Sequence, residues 1–195
     1  MNDIEKDELE AVGTEPWMET FSGKKFFLFD KEGLDQIDIY DIAHSLALNC
    51  RYNGHCSRFY SVAEHSVLMS YLVPEGLELE GLLHDSTEAY LSDIVRPFKR
   101  VMPMYQDIEN TLYTRIASKY GLEDKIHPET KEVDLAICKL EAETLMVSRG
   151  NGWGLDSSVI TNELLEEKSG YSKIPCWSPE QAEQEFLSRF YELVS

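Results

Sequence analysis

The chain has 195 residues, and its 18 lysines and arginines against 36 aspartates and glutamates give a net charge of −18. That length suits one domain with a substantial core, and 43% hydrophobic residues place it with globular chains rather than disordered ones. So acidic a surface repels a nucleic-acid backbone, which excludes a nucleic-acid polymer as the main partner. No apolar stretch approaches the roughly 18–20 residues of a bilayer span, so no membrane partner is expected. Met1 to Glu10 is acidic and polar, unlike a secretory or transit leader, and a cytoplasmic location is the expectation. Cys50, Cys56, Cys138 and Cys176 form no CxxC pair, and free thiols in a reducing compartment are expected.

Residues 1–16 read as a flexible N-terminus and 17–195 as a single domain. Within it an arm covers 17–37, a helical core 38–147, and a loop with a C-terminal helix 148–195. Aromatic residues flanking Ser22-Gly23 suggest a short hairpin or extended arm. Phe26, Phe27 and Phe29 hint that this arm packs on a partner copy. From Asp38 the period changes: Ile39, Ile42, Ala43, Leu46 and Ala47 form the stripe of an amphipathic helix ending near Cys50. Ser61-Val62-Ala63-Glu64 matches a capping box and opens a second helix that stops before Pro74.

A third helix is expected from about Leu77 to Leu91, broken by Ser92 to Pro97. A fourth covers roughly Tyr105 to Tyr120 and closes at Gly121; a fifth runs from Pro128 through Leu145. Residues 148–177 read mainly as a long loop with one helical turn near Asn162 to Lys168. Ser178-Pro179-Glu180 opens the last helix, with proline at the first helical position. The fold class is all-α with a small extended N-terminal addition.

The chemistry-bearing residues fall on these helices. His84-Asp85 sits in an apolar run, 19 residues after His65, and Asp134 lies on a later helix. Two imidazoles and two carboxylates can enclose one divalent ion, of Mn, Co, Fe, Zn or, less well, Mg. A thiolate-free set with open positions suits a catalytic site better than a closed structural one. Burying these groups together without an ion or tight pairing would be costly. Glu88, one turn after His84, is placed to act as general base or acid. Glu141 and Glu143, further along the Asp134 helix, read as solvated carboxylates without a role.

The pattern His65…His84-Asp85…Asp134 resembles the HD-domain metal-dependent phosphohydrolases. With Arg51-Tyr52, the Ser-Val-Ala-Glu-His-Ser segment and His-Asp-Ser-Thr-Glu-Ala-Tyr-Leu-Ser-Asp, it looks like the bacterial 5′-deoxynucleotidase branch and its phage dATPase-type relatives. The similar stretch covers roughly Trp17 to Met146. The resemblance implies an HD helical bundle, with His65, His84, Asp85 and Asp134 as metal ligands. It further implies Glu88 as the group handling the attacking water, Asp93 as a contact to the nucleotide sugar, and a homo-oligomeric assembly.

On the substrate side, Arg51 could place a guanidinium fork on phosphate. Tyr52 could stack on a base, where relatives often carry tryptophan. Arg96, Lys99 and Arg100 form a basic group that could neutralise further phosphates. The expected activity is phosphate hydrolysis from deoxynucleoside 5′-monophosphates. The alternatives are a deoxynucleoside triphosphate triphosphohydrolase, possibly dATP-directed, and a catalytically silent nucleotide-binding regulator.

Overall fold

A computed structural model of the chain describes residues 16–30, 33–155 and 160–195. Residues 1–15 of the N-terminus expected to be flexible therefore lie outside the described residues.

The chain enters through a hairpin, β1 (Trp17–Glu19) paired antiparallel with β2 (Lys25–Phe27), so that Met18 faces Phe26. The remainder is helical: α1 (Ile39–Leu48), α2 (Val62–Leu72), α3 (Glu78–Leu83), α4 (Glu88–Leu91), α5 (Arg96–Lys99), α6 (Pro103–Tyr120), α7 (Pro128–Leu145), α8 (Asn162–Ser169) and α9 (Pro179–Val194). Among the described residues the protein is thus mostly helical with one small two-stranded hairpin.

Local chemistry fixes most helix ends. The Asp38, Ser61, Thr161 and Ser178 side chains accept hydrogen bonds from the first-turn amides of α1, α2, α8 and α9. At the other end of α6, Gly121 takes the left-handed conformation, with φ of 73°. The capping box at Ser61 is half made. Ser61 Oγ accepts from the Glu64 amide at 3.0 Å, but the Glu64 carboxylate accepts from the Cys176 and Trp177 amides at 2.7 and 2.8 Å. It therefore ties the chain just before α9 to the start of α2. Burial pushes the Glu64 carboxyl up to about 7, against the lowering effect of those two amides.

Helix α2 is the hub. Every residue from Val62 to Ser70 is buried, because an apolar cluster flanks it on each side. One contains Phe26, Ile42, Leu46, Val67, Leu82, Leu83, Ile116 and Phe186. The other contains Tyr60, Leu68, Met69, Ile137, Leu140, Leu165 and Ile174. A helix covered all round shows no amphipathic stripe. Helix α9 packs on α1, α2 and α3, so it completes the core rather than trailing behind it.

The expected third helix is interrupted. Helix α3 stops at Leu83, and the Ser86, Glu88 and Ala89 amides bond three residues back, to Leu83, Asp85 and Ser86. The backbone tightens there, and α4 ends at Ser92, whose φ is 66°. Gly81 permits the close approach of α3 to α2: a Cβ there would lie 2.9 Å from Val73 Cγ2 and 3.3 Å from the Met69 carbonyl.

Two polar clamps hold the periphery. Buried Arg115 on α6 donates to the carbonyls of Phe27, Leu28 and Gly33, fastening the hairpin to the domain. Phe26 is buried and stacks on Tyr90 at 4.1 Å, so the aromatic content of the arm is partly spent within its own chain. Buried Glu80 on α3 accepts from the His127 amide at 2.9 Å and from the Thr130 hydroxyl, binding the start of α7 to α3. No helix among the described residues is long and apolar enough to cross a membrane.

Candidate metal centre

Helices α2, α3 and α7 each deliver ligand-type groups to one point. His65, on the all-buried α2, is fully enclosed, and His84 at the end of α3 is 6% exposed. Their Nε2 atoms face each other at 3.2 Å. Asp85 Oδ2 lies 3.2 Å from His84 Nε2 and 3.6 Å from His65 Nε2, and Asp134 Oδ1 lies 3.5 Å from His65 Nε2. The tightest group is His65, His84 and Asp134, whose ligand atoms all lie within 4.8 Å of one another. Asp85 joins it from the side, sharing Oδ2 with Arg51 Nη1 at 3.3 Å.

The hydrogen bonds on the far sides of the rings decide what this point can hold. His84 Nδ1 meets the Gly81 carbonyl at 2.8 Å, and a carbonyl only accepts, so Nδ1 carries the proton. His65 Nδ1 meets Glu141 Oε1 at 2.6 Å. Glu141 is wholly buried, yet Arg51 and His65 hold its carboxyl well below the usual carboxylate range, overcoming burial. It is therefore an acceptor, and His65 Nδ1 also donates. In both neutral rings Nε2 is then a lone pair, and two lone pairs 3.2 Å apart repel unless a cation lies between them. With metal–nitrogen bonds of about 2.0–2.1 Å, two ligands at tetrahedral or octahedral angles stand roughly 2.9–3.4 Å apart. The residues present therefore fit a divalent ion. Glu141 and Asp134 outweigh burial and Arg51 and raise His65 to about 9, so this point favours positive charge. His84 and His65, with Arg51, outweigh partial burial and hold the half-buried Asp85 carboxyl far below its ordinary value.

Glu141 is the functional residue that the sequence reading passed over, and it is not a solvated carboxylate. Besides His65 it accepts from Tyr60 at 2.8 Å, from Tyr52, and from Arg51 Nη2 at 3.3 Å. The available signal was its spacing. It follows Asp134 by seven residues, two helical turns, and so lies on the same face of α7.

The other expected site residues surround the ligands. Glu88, 5% exposed, leaves Oε2 without a partner and has Oε1 3.6 Å from Lys99 Nζ. Burial, then Asp85 and Asp93, push its carboxyl well above the ordinary range. Asp93 is half-buried, and burial raises its carboxyl as well. Arg51 has both terminal nitrogens engaged, on Asp85 and Glu141, rather than directed outward as an open fork. The Tyr52 hydroxyl is anchored on Glu141, and its ring tilts against Trp153 at 5.8 Å. The basic group is largely matched by acids: Arg96 pairs with Asp134 at 3.2 Å, and Lys99 with Glu109 at 2.7 Å.

No family model matches the chain. Over 177 residues, 91% of this chain and 95% of the other, it is 40% identical to the uncharacterized protein YfdR of Escherichia coli. Over 143 residues, 66% of this chain and 72% of the other, it is 34% identical to an uncharacterized protein of Rhodobacter capsulatus. Neither description names an activity, a substrate or a partner. At that identity and near-complete coverage, the chain belongs to the family of the Escherichia coli protein YfdR.

Proposed function

We propose that the protein is an HD-type, divalent-metal-dependent phosphohydrolase that acts on deoxynucleoside 5′-monophosphates. The observation that carries this reading is the pair of Nε2 atoms at 3.2 Å, each ring having committed its other nitrogen as a donor. Two imidazoles with carboxylates favour Mn, Co, Fe or Zn over Mg. A divalent ion held there supplies Lewis-acid stabilisation at a phosphate oxygen and lowers the pKa of water. Glu141 fixes the His65 ring, and the Gly81 carbonyl fixes the His84 ring, so both present lone pairs to the same point. Burial, then Asp85 and Asp93, raise the Glu88 carboxyl, which suits it to exchange a proton beside the ligands through its unpartnered Oε2. Arg51, in contact with Asp85 and Glu141 beside the ligands, is assigned to the negative charge that develops at phosphorus. Asp93 is assigned to the sugar and Tyr52 to the wall of the base site.

The monophosphate is favoured over the triphosphate because two of the three basic residues beyond the ligands are already engaged: Arg96 by Asp134, and Lys99 by Glu109. Exposed Arg100 is what remains of that group for two further phosphates. The protein should be incubated with each deoxynucleoside mono- and triphosphate, with Mn, Co, Mg or Zn in turn. Orthophosphate from monophosphates is the expected product. Intact triphosphate from a triphosphate would replace the monophosphatase with a triphosphohydrolase. Metal binding without any turnover would overturn hydrolysis in favour of a nucleotide-binding regulator.

A further inference from the structure

Two of the four cysteines meet across the loop that carries Arg51 and Tyr52. Cys50 Sγ and Cys56 Sγ stand 3.6 Å apart, and both residues are half-buried. The loop is pinched at its base by the backbone pair Cys50–Ser61, with the Arg51 amide on the Tyr60 carbonyl at 2.9 Å. Its tip is tightly coiled, since Tyr52, Asn53 and Gly54 all have positive φ, of 57°, 52° and 74°. Two of these are not glycine, a conformation that persists only where surrounding contacts enforce it. The thiols therefore lie where a covalent link would close a ring around the coiled tip. We propose that Cys50 and Cys56 form a dithiol–disulfide modification site whose closure cross-links the loop carrying Arg51 and Tyr52.

The sulfurs must approach by about 1.5 Å to reach the disulfide bond length. The oxidant is a low-molecular-weight disulfide. A Cys50 thiolate attacks it, forming a mixed disulfide and releasing one small thiolate; Cys56 then attacks Cys50 Sγ and releases the second small thiol. The protein loses two hydrogens, and the small disulfide takes up the two electrons and two protons. The ring encloses the five residues Arg51 to His55, so it contains the two side chains that reach out to Asp85 and Glu141. The link itself does not depend on the proposed hydrolase activity; only its consequence for substrate does.

The test is peptide mapping by mass spectrometry of the folded protein after equilibration with oxidised glutathione, with no substrate present. The expected product is an intramolecular Cys50–Cys56 disulfide, reversed by dithiothreitol, which leaves two of four thiols reactive. It should persist in the doubly substituted Cys138→Ser/Cys176→Ser protein and be lost in Cys50→Ser, with circular dichroism confirming that each is folded. A Cys56–Cys176 link, or glutathione adducts on separate cysteines without ring closure, would overturn the assignment. Because the readout is a mapped bond, failure of the phosphohydrolase reading would leave it standing, and its own failure would leave that reading untouched.

Discussion

Replacing Glu141 by Gln changes one atom and should disable the centre from behind. Glu141 offers two oxygens to four donors: His65 and Tyr60 on Oε1, Tyr52 and Arg51 on Oε2. An amide has one oxygen. If its NH2 turns toward Oε2, it confronts the Arg51 guanidinium, and a charge-assisted bond of about 1.5–3 kcal/mol is lost. If it turns toward Oε1, His65 Nδ1 must become the acceptor, which moves the ring proton to Nε2 and removes a metal ligand. Either orientation weakens the centre. Partners behind metal-bound histidines are worth about 10–100-fold in affinity, or roughly 1.4–2.8 kcal/mol at tenfold per 1.4 kcal/mol. Titration calorimetry with Mn or Co on the wild type and Glu141→Gln should show that loss, with circular dichroism confirming the fold. Wild-type metal affinity in a folded Glu141→Gln would refute the role given to this carboxylate.

Glu88→Gln should keep metal affinity within about threefold yet lower turnover by roughly 100-fold or more. Equal turnover would remove Glu88 from proton handling. Phe186→Ala, at a fully enclosed position between α9 and the other core helices, should cost about 3–5 kcal/mol in urea unfolding. A loss below about 1 kcal/mol would show that α9 is peripheral. The Lys24 ammonium at 2.7 Å, and then the Tyr40 amide, hold Asp38 below its ordinary carboxyl value despite some burial. That stability is present above the unfolded value and is lost as pH falls through the lower folded one. Asp38→Asn should therefore flatten the decline of Tm below about pH 4, by an amount worth roughly 0.2–1 kcal/mol for so exposed a pair. An unchanged acid limb would contradict the pairing.

Much of this architecture was legible because caps and stripes are local. Asp38, Ser61, Ser178-Pro179 and Gly121 announce their helix ends within a few residues. The hairpin follows from Ser22-Gly23 between aromatic flanks. What escaped depends on distant partners. The tightening between His84 and Thr87 has no proline or glycine to mark it, and the α3–α4 run keeps its helical composition throughout. The turn at Arg96–Lys99 and the two-turn helix at Asn162–Ser169 are too short for periodicity to declare fully. Glu141 escaped for a different reason. A carboxylate on a helix is ordinarily solvated, and this one is buried because Arg51, Tyr52, Tyr60 and His65 arrive from elsewhere in the chain. The two histidines and two aspartates stood out by residue type and spacing, and the hydrogen bonds behind the histidines give a physical reason why His65, His84 and Asp134 could hold an ion.

The Glu80 clamp bears on how this centre tolerates change. Asp134 and Glu141 ride on α7 and His84 follows α3, so the centre depends on the axial position of one helix against the other. Glu80 sets that position by holding the first turn of α7 at the His127 amide and the Thr130 hydroxyl. Its negative charge also sits where the helix end is electropositive. Beyond Leu122, which packs against the core, the exposed connection of residues 123–125 then has only to span a gap, not to measure it. Residues can be inserted or removed there while the ligands stay in register, provided that one buried carboxylate on α3 is kept.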